Sequence, residues 1–493
     1  MSFVVEHTTP GGHKISLNTG LFINNEFVAG ANTIDTINPA TGKVITAVQA
    51  AEKEQVDQAV DAAEKAFQTW RNVAPRERQK LMLKLADLIE RDAEELAIVE
   101  TLDNGKPLTQ AKMIDVSGIQ GSLRYYAGWC DKIHGKVMET EGKLSYTRHE
   151  PIGVCGGIIP WNFPLNMLGW KIAPALATAN TVVIKTSEMT PLSALKVAAL
   201  VKEAGFPPGV INIITGYGAI AGDALARHPK VGKIAFTGST VVGRQIMKAA
   251  AESNLKKVTL ELGGKSPNII FDDVEDLDKA VFWAFNGIYM NAGQVCSAGS
   301  RIFVQEGIYD KFLEKFTQLI DAHKVGNPFE QDSYQGPQIS QRQFDRIMEY
   351  IDIGKKEGAT LYKGGKRLGD AGYFIEPTVF TDCKPEHTIS REEIFGPVAA
   401  VAKFKDQEEV IKLANDTSYG LGAAVFTANI STAINVSNQL EAGSVWVNCY
   451  NIVEVNAPFG GYKQSGIGRE NGEYALENYY QVKSVKINID KSA

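Results

Sequence analysis

Short apolar runs alternate with helical stretches from Pro151 onward, and this alternation constrains the fold more than any other feature. The predicted strands cover residues 152–159, 181–185, 210–214 and 233–236, and the predicted helices between them cover residues 192–204 and 241–251. Strands that alternate with helices in this way form parallel sheets with helices on both faces. The pattern therefore predicts a doubly wound α/β domain.

The rest of the chain is long enough for further units. A chain of 493 residues exceeds a single core. A second series of β-α units extends from about residue 265 to residue 459 and predicts a second α/β domain. Near the N-terminus, Val56, Val60, Ala63 and Phe67 recur at helical spacing. Residues 76–103 are rich in helix-forming residues and predict one longer helix.

Two segments fit neither α/β domain. Residues 145–150 and residues 482–489 alternate polar and apolar side chains, as exposed strands do. Exposed strand edges tend to pair with another chain, so these segments could join subunits. Two ordinary surface hairpins are the alternative.

Charge and cysteine content exclude several classes of protein. The formal net charge of -6 leaves no basic footprint for nucleic acid or an anionic membrane. No apolar run approaches the ~20 residues of a membrane span, and no targeting segment is evident. The five cysteines are scattered without a Cys-x-x-Cys pair, so we expect neither disulfides nor a metal site. The expected location is the cytoplasm.

Glu261 and Cys296 are the two residues that most strongly suggest catalysis. Glu261 begins the stretch Glu-Leu-Gly-Gly, and Cys296 ends the stretch Gly-Gln-Val-Cys. A thiol can hold a covalent acyl intermediate, and a carboxylate can activate the water that releases it. Glycines nearby allow the backbone to approach a substrate closely. The alternative is that Cys296 is a small buried apolar residue and that Gly263-Gly264 is a plain turn.

A second group of residues suggests a phosphate or dinucleotide site. The strand at 233–236 leads into Thr-Gly-Ser-Thr at 237–240 and then into a helix. The free backbone N–H groups at the start of this helix would form an anion-binding site. Lys185 and Glu188 follow a predicted strand and are placed to hold ribose hydroxyls. A solvated surface pair is the alternative. Gly218 belongs to a glycine-rich stretch that we interpret as a turn.

Asn162 lies in the tight loop Pro-Trp-Asn-Phe-Pro at residues 160–164. Its side-chain NH2 group can donate to a developing oxyanion. An Asn that caps its own turn is the more ordinary use of this residue in a loop.

Taken together, these segments closely resemble the aldehyde dehydrogenase superfamily from about residue 21 to residue 489. The motifs Trp-Asn-Phe-Pro, Phe-Thr-Gly-Ser-Thr, Glu-Leu-Gly-Gly, Gly-Gln-x-Cys, Glu-Ile-Phe-Gly-Pro and Pro-Phe-Gly-Gly occur in the family's order and spacing. Within the family, the chain is similar to the non-acylating branch that oxidises aliphatic aldehydes such as acetaldehyde.

The resemblance implies an aldehyde dehydrogenase-like α/β fold with three parts. A Rossmann-type doubly wound coenzyme domain is expected at residues 1–131 and 152–263. A catalytic domain is expected at 264–465, and a β oligomerisation arm at 132–151 and 479–493. The family also implies homodimers or homotetramers.

The same resemblance implies roles for five catalytic residues. Cys296 is the expected nucleophile, and Glu261 is the expected base for the water that hydrolyses the thioester. Asn162 is expected to stabilise the oxyanion together with the backbone N–H of Cys296. Lys171 and Glu470 match positions of a proton relay from the glutamate.

The resemblance further implies NAD as the cofactor, with NADP as a weaker alternative, and a small aldehyde as the substrate. The expected cofactor-binding residues are Ile158, Ile159, Pro160, Trp161, Lys185, Glu188, Gly218, Phe236, Gly238, Ser239, Gly243, Leu262, Gln343, Glu393 and Phe395. The expected substrate tunnel is apolar and contains no cation for a carboxylated semialdehyde. Its residues are Phe163, Met167, Trp170, Met290, Val295, Ser297, Val453 and Phe459.

Three other functions are alternatives to this interpretation. An acylating dehydrogenase would pass the thioester to coenzyme A, but a hydrolytic base at Glu261 competes with that release. A structural protein on a recruited dehydrogenase scaffold, such as some lens crystallins, would not need the set of Cys296, Glu261 and Asn162. A cysteine hydrolase lacks a recognisable His partner for the thiol.

Overall fold

A computed structural model describes residues 3–489 of the chain. The strands, numbered along the chain, are β1 Val4–Thr8, β2 Lys14–Asn18, β3 Leu21–Ile23, β4 Glu26–Val28, β5 Asn32–Asn38, β6 Lys43–Ala50, β7 Val137–Thr140, β8 Lys143–Pro151, β9 Val154–Ile158, β10 Thr181–Thr186, β11 Ile211–Thr215, β12 Val231–Thr237, β13 Lys257–Glu261, β14 Pro267–Ile270, β15 Arg301–Gln305, β16 Lys324–Val325, β17 Ser333–Gln335, β18 Thr360–Lys363, β19 Thr378–Thr381, β20 Val398–Phe404, β21 Tyr419–Gly420, β22 Gly422–Phe426, β23 Ser444–Val447, β24 Tyr462–Lys463, β25 Gly466–Ile467 and β26 Tyr480–Asn488.

The α-helices are α1 Lys53–Trp70, α2 Pro75–Arg91, α3 Ala93–Asn104, α4 Leu108–Gln110, α5 Ser117–Ala127, α6 Pro164–Ala177, α7 Leu192–Ala204, α8 Asp223–Arg227, α9 Thr240–Ser253, α10 Leu277–Tyr289, α11 Tyr309–Ala322, α12 Gln341–Lys356, α13 Thr388–Arg391, α14 Gln407–Asn415 and α15 Ile430–Gln439. Two π-helices cover Ala111–Val116 and Gly218–Gly222, and 3₁₀ turns cover Met290–Gly293, Glu306–Ile308 and Glu473–Asn478. Among the described helices, none has the length and apolar content that a membrane crossing requires.

The first large sheet is the predicted doubly wound sheet. Its eight strands lie in the order β25-β13-β12-β9-β10-β11-β3-β4. The five central strands, β9 to β13, are parallel. In this order, β10 and β11 lie on one side of β9, whereas β12 and β13 lie on the other side. The strand order therefore reverses beside β9, which creates the crevice where α/β sheets bind their ligands.

The second sheet confirms the prediction of a second α/β unit. Its seven strands lie in the order β18-β19-β20-β15-β14-β22-β23, and all are parallel except β18. Helices α10 and α11 pack against this sheet through a core that includes Phe285, Phe312 and Phe316. The boundaries of the domains remain predictions.

Most predicted elements are confirmed, but the prediction of one helix over residues 76–103 is wrong. Two helices, α2 and α3, replace it and meet at Asp92, where φ is -99° and ψ is 17°. The Asp92 carboxylate accepts a hydrogen bond from Arg91 at 2.7 Å. Aspartate is among the weaker helix formers. The surrounding residues are helix formers, so the composition did not reveal the break.

The two segments outside the α/β units form a separate sheet in the order β26-β8-β7. Strand β26 pairs antiparallel with β8 from Tyr480 opposite Pro151 to Asn488 opposite Lys143. Val137 and Val482 on this sheet are exposed. The expected arm extends to residue 493, and its last four residues lie outside the described part of the chain.

Candidate active site

A cavity of about 560 Å³ opens between the two large sheets. Residues that follow the carboxyl ends of first-sheet strands line one part of it, including Trp161 after β9 and Gly238 after β12. Residues that precede second-sheet strands line another part, including Cys296 before β15 and Glu393 before β20. The cavity therefore lies at the switch point of the first sheet, and its volume is typical of ligand pockets.

The cavity brings together most of the residues that the sequence singled out. It is lined by Asn162, Glu261 and Cys296, by all eight expected tunnel residues, and by Pro160, Trp161, Gly238, Ser239, Leu262, Gln343, Glu393 and Phe395. The remaining predicted residues do not line it. They are Ile158, Ile159, Lys171, Lys185, Glu188, Gly218, Phe236, Gly243 and Glu470.

Several of these remaining residues lie at the same edge of the first sheet. Ile158 pairs with Lys185 on β10 and with Phe236 on β12. On the far side of β12, Thr237 pairs with Glu261. Register alone therefore aligns four strand ends that the sequence places far apart.

Cys296 follows a backbone turn of unusual conformation. Asn291, Ala292 and Gly293 have φ values of 49°, 55° and 72°, in the left-handed region. Burial raises the pKa of the Cys296 thiol to about 12, and the carboxyl groups of Glu261 and Glu393 act in the same direction. The resting cysteine is therefore a neutral thiol, and its reaction requires removal of a proton.

Glu261 ends β13 and is buried, and its Oε2 atom has no hydrogen-bond partner in the described structure. Burial raises the pKa of this carboxyl well above its usual range, and the charge of Glu470 adds to the shift. Lys171 and Arg469 oppose it. Lys171 forms a buried ion pair with Glu470. A carboxyl with a raised pKa is a suitable general base near neutral pH.

The Asn162 side chain connects the loop of residues 160–164, which follows β9, with the segment that contains Gln294 and Cys296. Its Nδ2 atom donates to the backbone carbonyl of Gln294 at 3.0 Å. An amide nitrogen carries two hydrogens, so a second donor remains on this atom. Asn162 and Cys296 both line the cavity. The arrangement is suited to stabilising negative charge on an oxygen attached to a carbon at Cys296.

The other part of the cavity has the chemistry of a nucleotide site. Ser239 caps helix α9, whose N-terminus begins beside the cavity. The Glu393 carboxylate accepts a hydrogen bond from the Gly264 N–H at 3.1 Å. A Cβ atom at Gly263 would lie 2.4 Å from this carboxylate, so a side chain there would displace the Glu393 carboxylate. Helix N-termini bind phosphates, and carboxylates bind ribose hydroxyls, so these residues fit a dinucleotide.

Lys185 and Glu188 form an ion pair of 3.0 Å. Lys185 is buried, and burial lowers the pKa of its ammonium group. Glu188 is partly exposed. The pair lies beyond the described cavity, at the carboxyl end of β10.

The tunnel side of the cavity is apolar and aromatic. The rings of Trp170 and Phe459 meet edge to face, with centroids 5.4 Å apart. One polar contact interrupts this surface, since the Ser297 hydroxyl donates to the Asn451 Oδ1 atom at 2.6 Å. Among the lining residues, Arg346 is the only cation, and it donates to the Glu393 carbonyl on the nucleotide side.

Sequence reasoning missed several residues that line this cavity. Asn451 and Asn471 are polar, and Met113 and Ile114 come from the π-helix that precedes α5. Nothing in their local sequence indicates a site, because they reach the cavity only through tertiary packing. The left-handed φ values of Asn451 and Asn471 are 56° and 60°, which asparagine tolerates better than most residues.

A cavity between two α/β sheets, with a thiol, a buried carboxyl and a nucleotide-type site along its walls, indicates an α/β enzyme of the dehydrogenase type. The aldehyde dehydrogenase family model matches residues 27–485. The chain therefore belongs to the aldehyde dehydrogenase family, and it is an oxidoreductase that converts aldehydes to acids.

Similar proteins agree with this assignment. An aldehyde dehydrogenase of Emericella nidulans is 62% identical over 470 residues, which are 94% of each chain. The human protein "Aldehyde dehydrogenase, mitochondrial" is 54% identical over 475 residues, which are 95% of this chain and 92% of that one. The structure of the NAD+ complex of an aldehyde dehydrogenase from Bacillus cereus is similar, with a TM-score of 0.94, 52% identity and 96% coverage of both chains.

Proposed function

We propose that this protein oxidises small aliphatic aldehydes to free carboxylic acids, with NAD as the cofactor. The observation that carries the proposal is the single cavity that joins Cys296, Asn162 and Glu261 to an apolar tunnel on one side and to a nucleotide-type site on the other. The NAD+ complex of the similar Bacillus cereus enzyme supports the choice of cofactor.

In the first half of the proposed reaction, the Cys296 sulfur attacks the aldehyde carbon and forms a thiohemiacetal. The thiol first loses its proton to water or, through water, to Glu261, and the positive charge of the cofactor and nearby helix ends would favour the resulting thiolate. The backbone N–H of Cys296 and the second Nδ2 hydrogen of Asn162 stabilise the oxyanion. The thiohemiacetal becomes a thioester when hydride leaves its carbon; NAD, when bound, would accept that hydride, and Glu393, Ser239 and Trp161 would hold the cofactor.

In the second half, Glu261 takes a proton from water, and the resulting hydroxide attacks the thioester carbon. The acid leaves, and the Cys296 sulfur takes up a proton. Glu261 must itself return its proton to solvent. The buried ion pair of Lys171 and Glu470 acts on the Glu261 carboxyl electrostatically and lies on the proposed relay.

The tunnel favours an uncharged aliphatic substrate. Its walls are apolar, and the one cation in the described lining, Arg346, lies on the nucleotide side. An aldehyde that carries a carboxylate would have no partner there.

A panel of aldehydes tests this function. We expect NADH formation with acetaldehyde and longer aliphatic aldehydes, with much lower kcat/KM for carboxylated semialdehydes. The same reaction with added coenzyme A should still yield the free acid. Acyl-CoA as the product would establish an acylating enzyme, and the absence of cofactor reduction with every aldehyde would support a structural role.

Glu188 provides a prediction about cofactor choice. Its carboxylate is proposed to accept hydrogen bonds from the adenosine ribose hydroxyls, and it would repel a 2′-phosphate. We expect Glu188→Ser to shift the ratio of kcat/KM values towards NADP, mainly through KM. Its partner Lys185, which would be left without its carboxylate, is expected to assist NADP.

The measurement compares both cofactors on both enzymes at saturating aldehyde. Glu203→Ser is a matched control, because Glu203 is also ion-paired but at the surface with Arg91. A wild-type preference for NADP, or an unchanged ratio in Glu188→Ser, would contradict the proposed ribose site.

The β26-β8-β7 sheet is proposed to join subunits in a homodimer or homotetramer. Its exposed apolar side chains, including Val137 and Val482, support this role. The three domain ranges and the cytoplasmic location likewise remain proposals.

A further inference from the structure

A buried ion cluster that the proposed mechanism does not use lies beside the Asn162 loop. It consists of Glu100, Lys106 and Asp115, whose side chains are all 0% exposed. The Lys106 ammonium group forms an ion pair with Asp115 and lies 3.6 Å from Glu100. Burial of such charged groups costs desolvation free energy, and apolar residues of similar volume often give equal or greater stability. Its position suggests a role other than stability.

Lys106 contacts the Asn162 loop directly. Its Nζ atom donates to the Asn162 backbone carbonyl at 2.8 Å. The same atom lies 4.3 Å from the centroid of the Phe163 ring, which lines the tunnel. The loop is therefore held at two successive residues by one buried cation.

Two further donors contact the same carbonyl oxygen of Asn162. Asn104 Nδ2 lies 3.3 Å away and Asn291 Nδ2 lies 3.1 Å away. Asn104 also donates to the carbonyl of Trp161 at 2.7 Å. Of the three donors on this oxygen, only Lys106 carries a charge, and hydrogen bonds from charged groups are the stronger ones.

Asp115 extends this restraint to helix α6, which follows the loop. Its Oδ1 atom accepts a hydrogen bond of 3.4 Å from the backbone N–H of Asn166, in the first turn of α6. Asp115 belongs to the π-helix Ala111–Val116. The Lys106–Asp115 pair therefore contacts both the Asn162 loop and the helix that follows it.

The protonation of the cluster is consistent with one net ion pair. Burial raises the pKa of Glu100 well above its usual range, and the charge of Asp115 acts in the same direction. Both effects favour the neutral form of the Glu100 carboxyl, so the close ion pair of the cluster is the one between Lys106 and Asp115.

We propose that Lys106, held by Asp115, is a positioning residue that fixes Asn162 for oxyanion stabilisation. This inference rests on the proposed role of Asn162. The Lys106 ammonium group fixes the backbone carbonyl of Asn162. The side chain of Asn162 is bonded to the Gln294 carbonyl, so a fixed backbone at Asn162 also fixes the position of its side-chain amide. A shift of about 1 Å in such a donor can slow a reaction about 100-fold.

The test removes the ion pair without leaving an unpaired charge, in the double variant Lys106→Met with Asp115→Asn. Rapid mixing of enzyme, NAD and acetaldehyde measures the first turnover of NADH formation. We expect a decrease of about 10- to 100-fold in this rate constant, in line with the loss of a well-placed oxyanion donor. The Kd for NAD is expected to remain within a factor of about two, because the pair does not contact the nucleotide side.

A cycle with Asn162→Ala separates positioning from general damage. If Lys106 acts through Asn162, the ion-pair substitutions should slow Asn162→Ala by less than about twofold. An equal loss in both backgrounds, or no loss in the wild-type background, would overturn the inference. If Asn162→Ala alone does not slow NADH formation, the proposed role of Asn162 is wrong instead.

Two further variants keep the test decisive. Arg78→Met is a matched control, because Arg78 is also a buried cation that donates to three backbone carbonyls, those of Val73, Cys130 and Ala177. It does not line the cavity, so we expect a lower Tm and an unchanged rate of NADH formation. If the double variant does not fold, Asn104→Ala removes a neutral donor from the same carbonyl. Asn104→Ala should show the same dependence on Asn162, and an additive loss would overturn the inference.

Discussion

Replacement of Cys296 by alanine is expected to abolish aldehyde oxidation while NAD still binds. The substitution removes the sulfur that forms the covalent bond, and no other described cysteine lines the cavity. The volume change is small, so the fold and the nucleotide side should be unaffected. Steady-state NADH formation and NAD titration measure the two properties separately.

Cys449→Ala is the matched control for this prediction. Cys449 is also a free and partly exposed thiol, but it lies outside the lining of the cavity. We expect Cys449→Ala to retain wild-type kcat. Aldehyde oxidation above about a few per cent of wild type in Cys296→Ala would show that Cys296 is not the nucleophile.

Glu261→Gln is expected to separate the two halves of the reaction. Hydrolysis of the thioester should slow by roughly 10²- to 10⁴-fold, which is the usual contribution of a general base. Thioester formation should persist, because Asn162 and the Cys296 backbone still stabilise the oxyanion. Rapid mixing should therefore show a burst of NADH followed by slow turnover, with acyl-enzyme detectable by mass spectrometry.

The pH dependence gives this prediction a second readout. The structure raises the pKa of Glu261, so the carboxyl is protonated at low pH and cannot accept a proton from water. The rate of deacylation should therefore rise as the pH rises through this pKa, and Glu261→Gln should lose that rise.

Asp103→Asn serves as the control for Glu261→Gln. Asp103 is likewise a buried carboxyl with a raised pKa, but it accepts a hydrogen bond from the Leu192 N–H and does not line the cavity. We expect an unchanged kcat for Asp103→Asn. Steady-state rates of Glu261→Gln equal to wild type would rule out Glu261 as the base.

Elements with a strong local pattern were predictable from the sequence. The helix predicted over residues 192–204 is observed as α7, Leu192–Ala204, and the strand predicted over 181–185 is observed as β10, Thr181–Thr186. Apolar spacing and composition act within a few residues, so one sequence suffices to detect them. The break at Asp92 escaped because a single residue ends the helix there.

The candidate site was predictable only where its residues lie in distinctive motifs. Cys296, Glu261 and Asn162 were singled out in this way, and the structure places all three on one cavity. Lys106 was not singled out. Its role depends on contact with Asn162, and no local pattern encodes that distance.

The sequence by itself determined the α/β class, the strand and helix segments, the family and the residue types available for chemistry. Only the tertiary structure decided that β9 lies at the switch point and that Glu261 on β13 pairs with Thr237 on β12. It also decided that three hydrogen-bond donors contact the Asn162 carbonyl oxygen. The physical reason is the distance along the chain over which each kind of interaction acts. Backbone preferences are local, whereas burial and hydrogen bonding between distant segments depend on how the sheets and helices pack together.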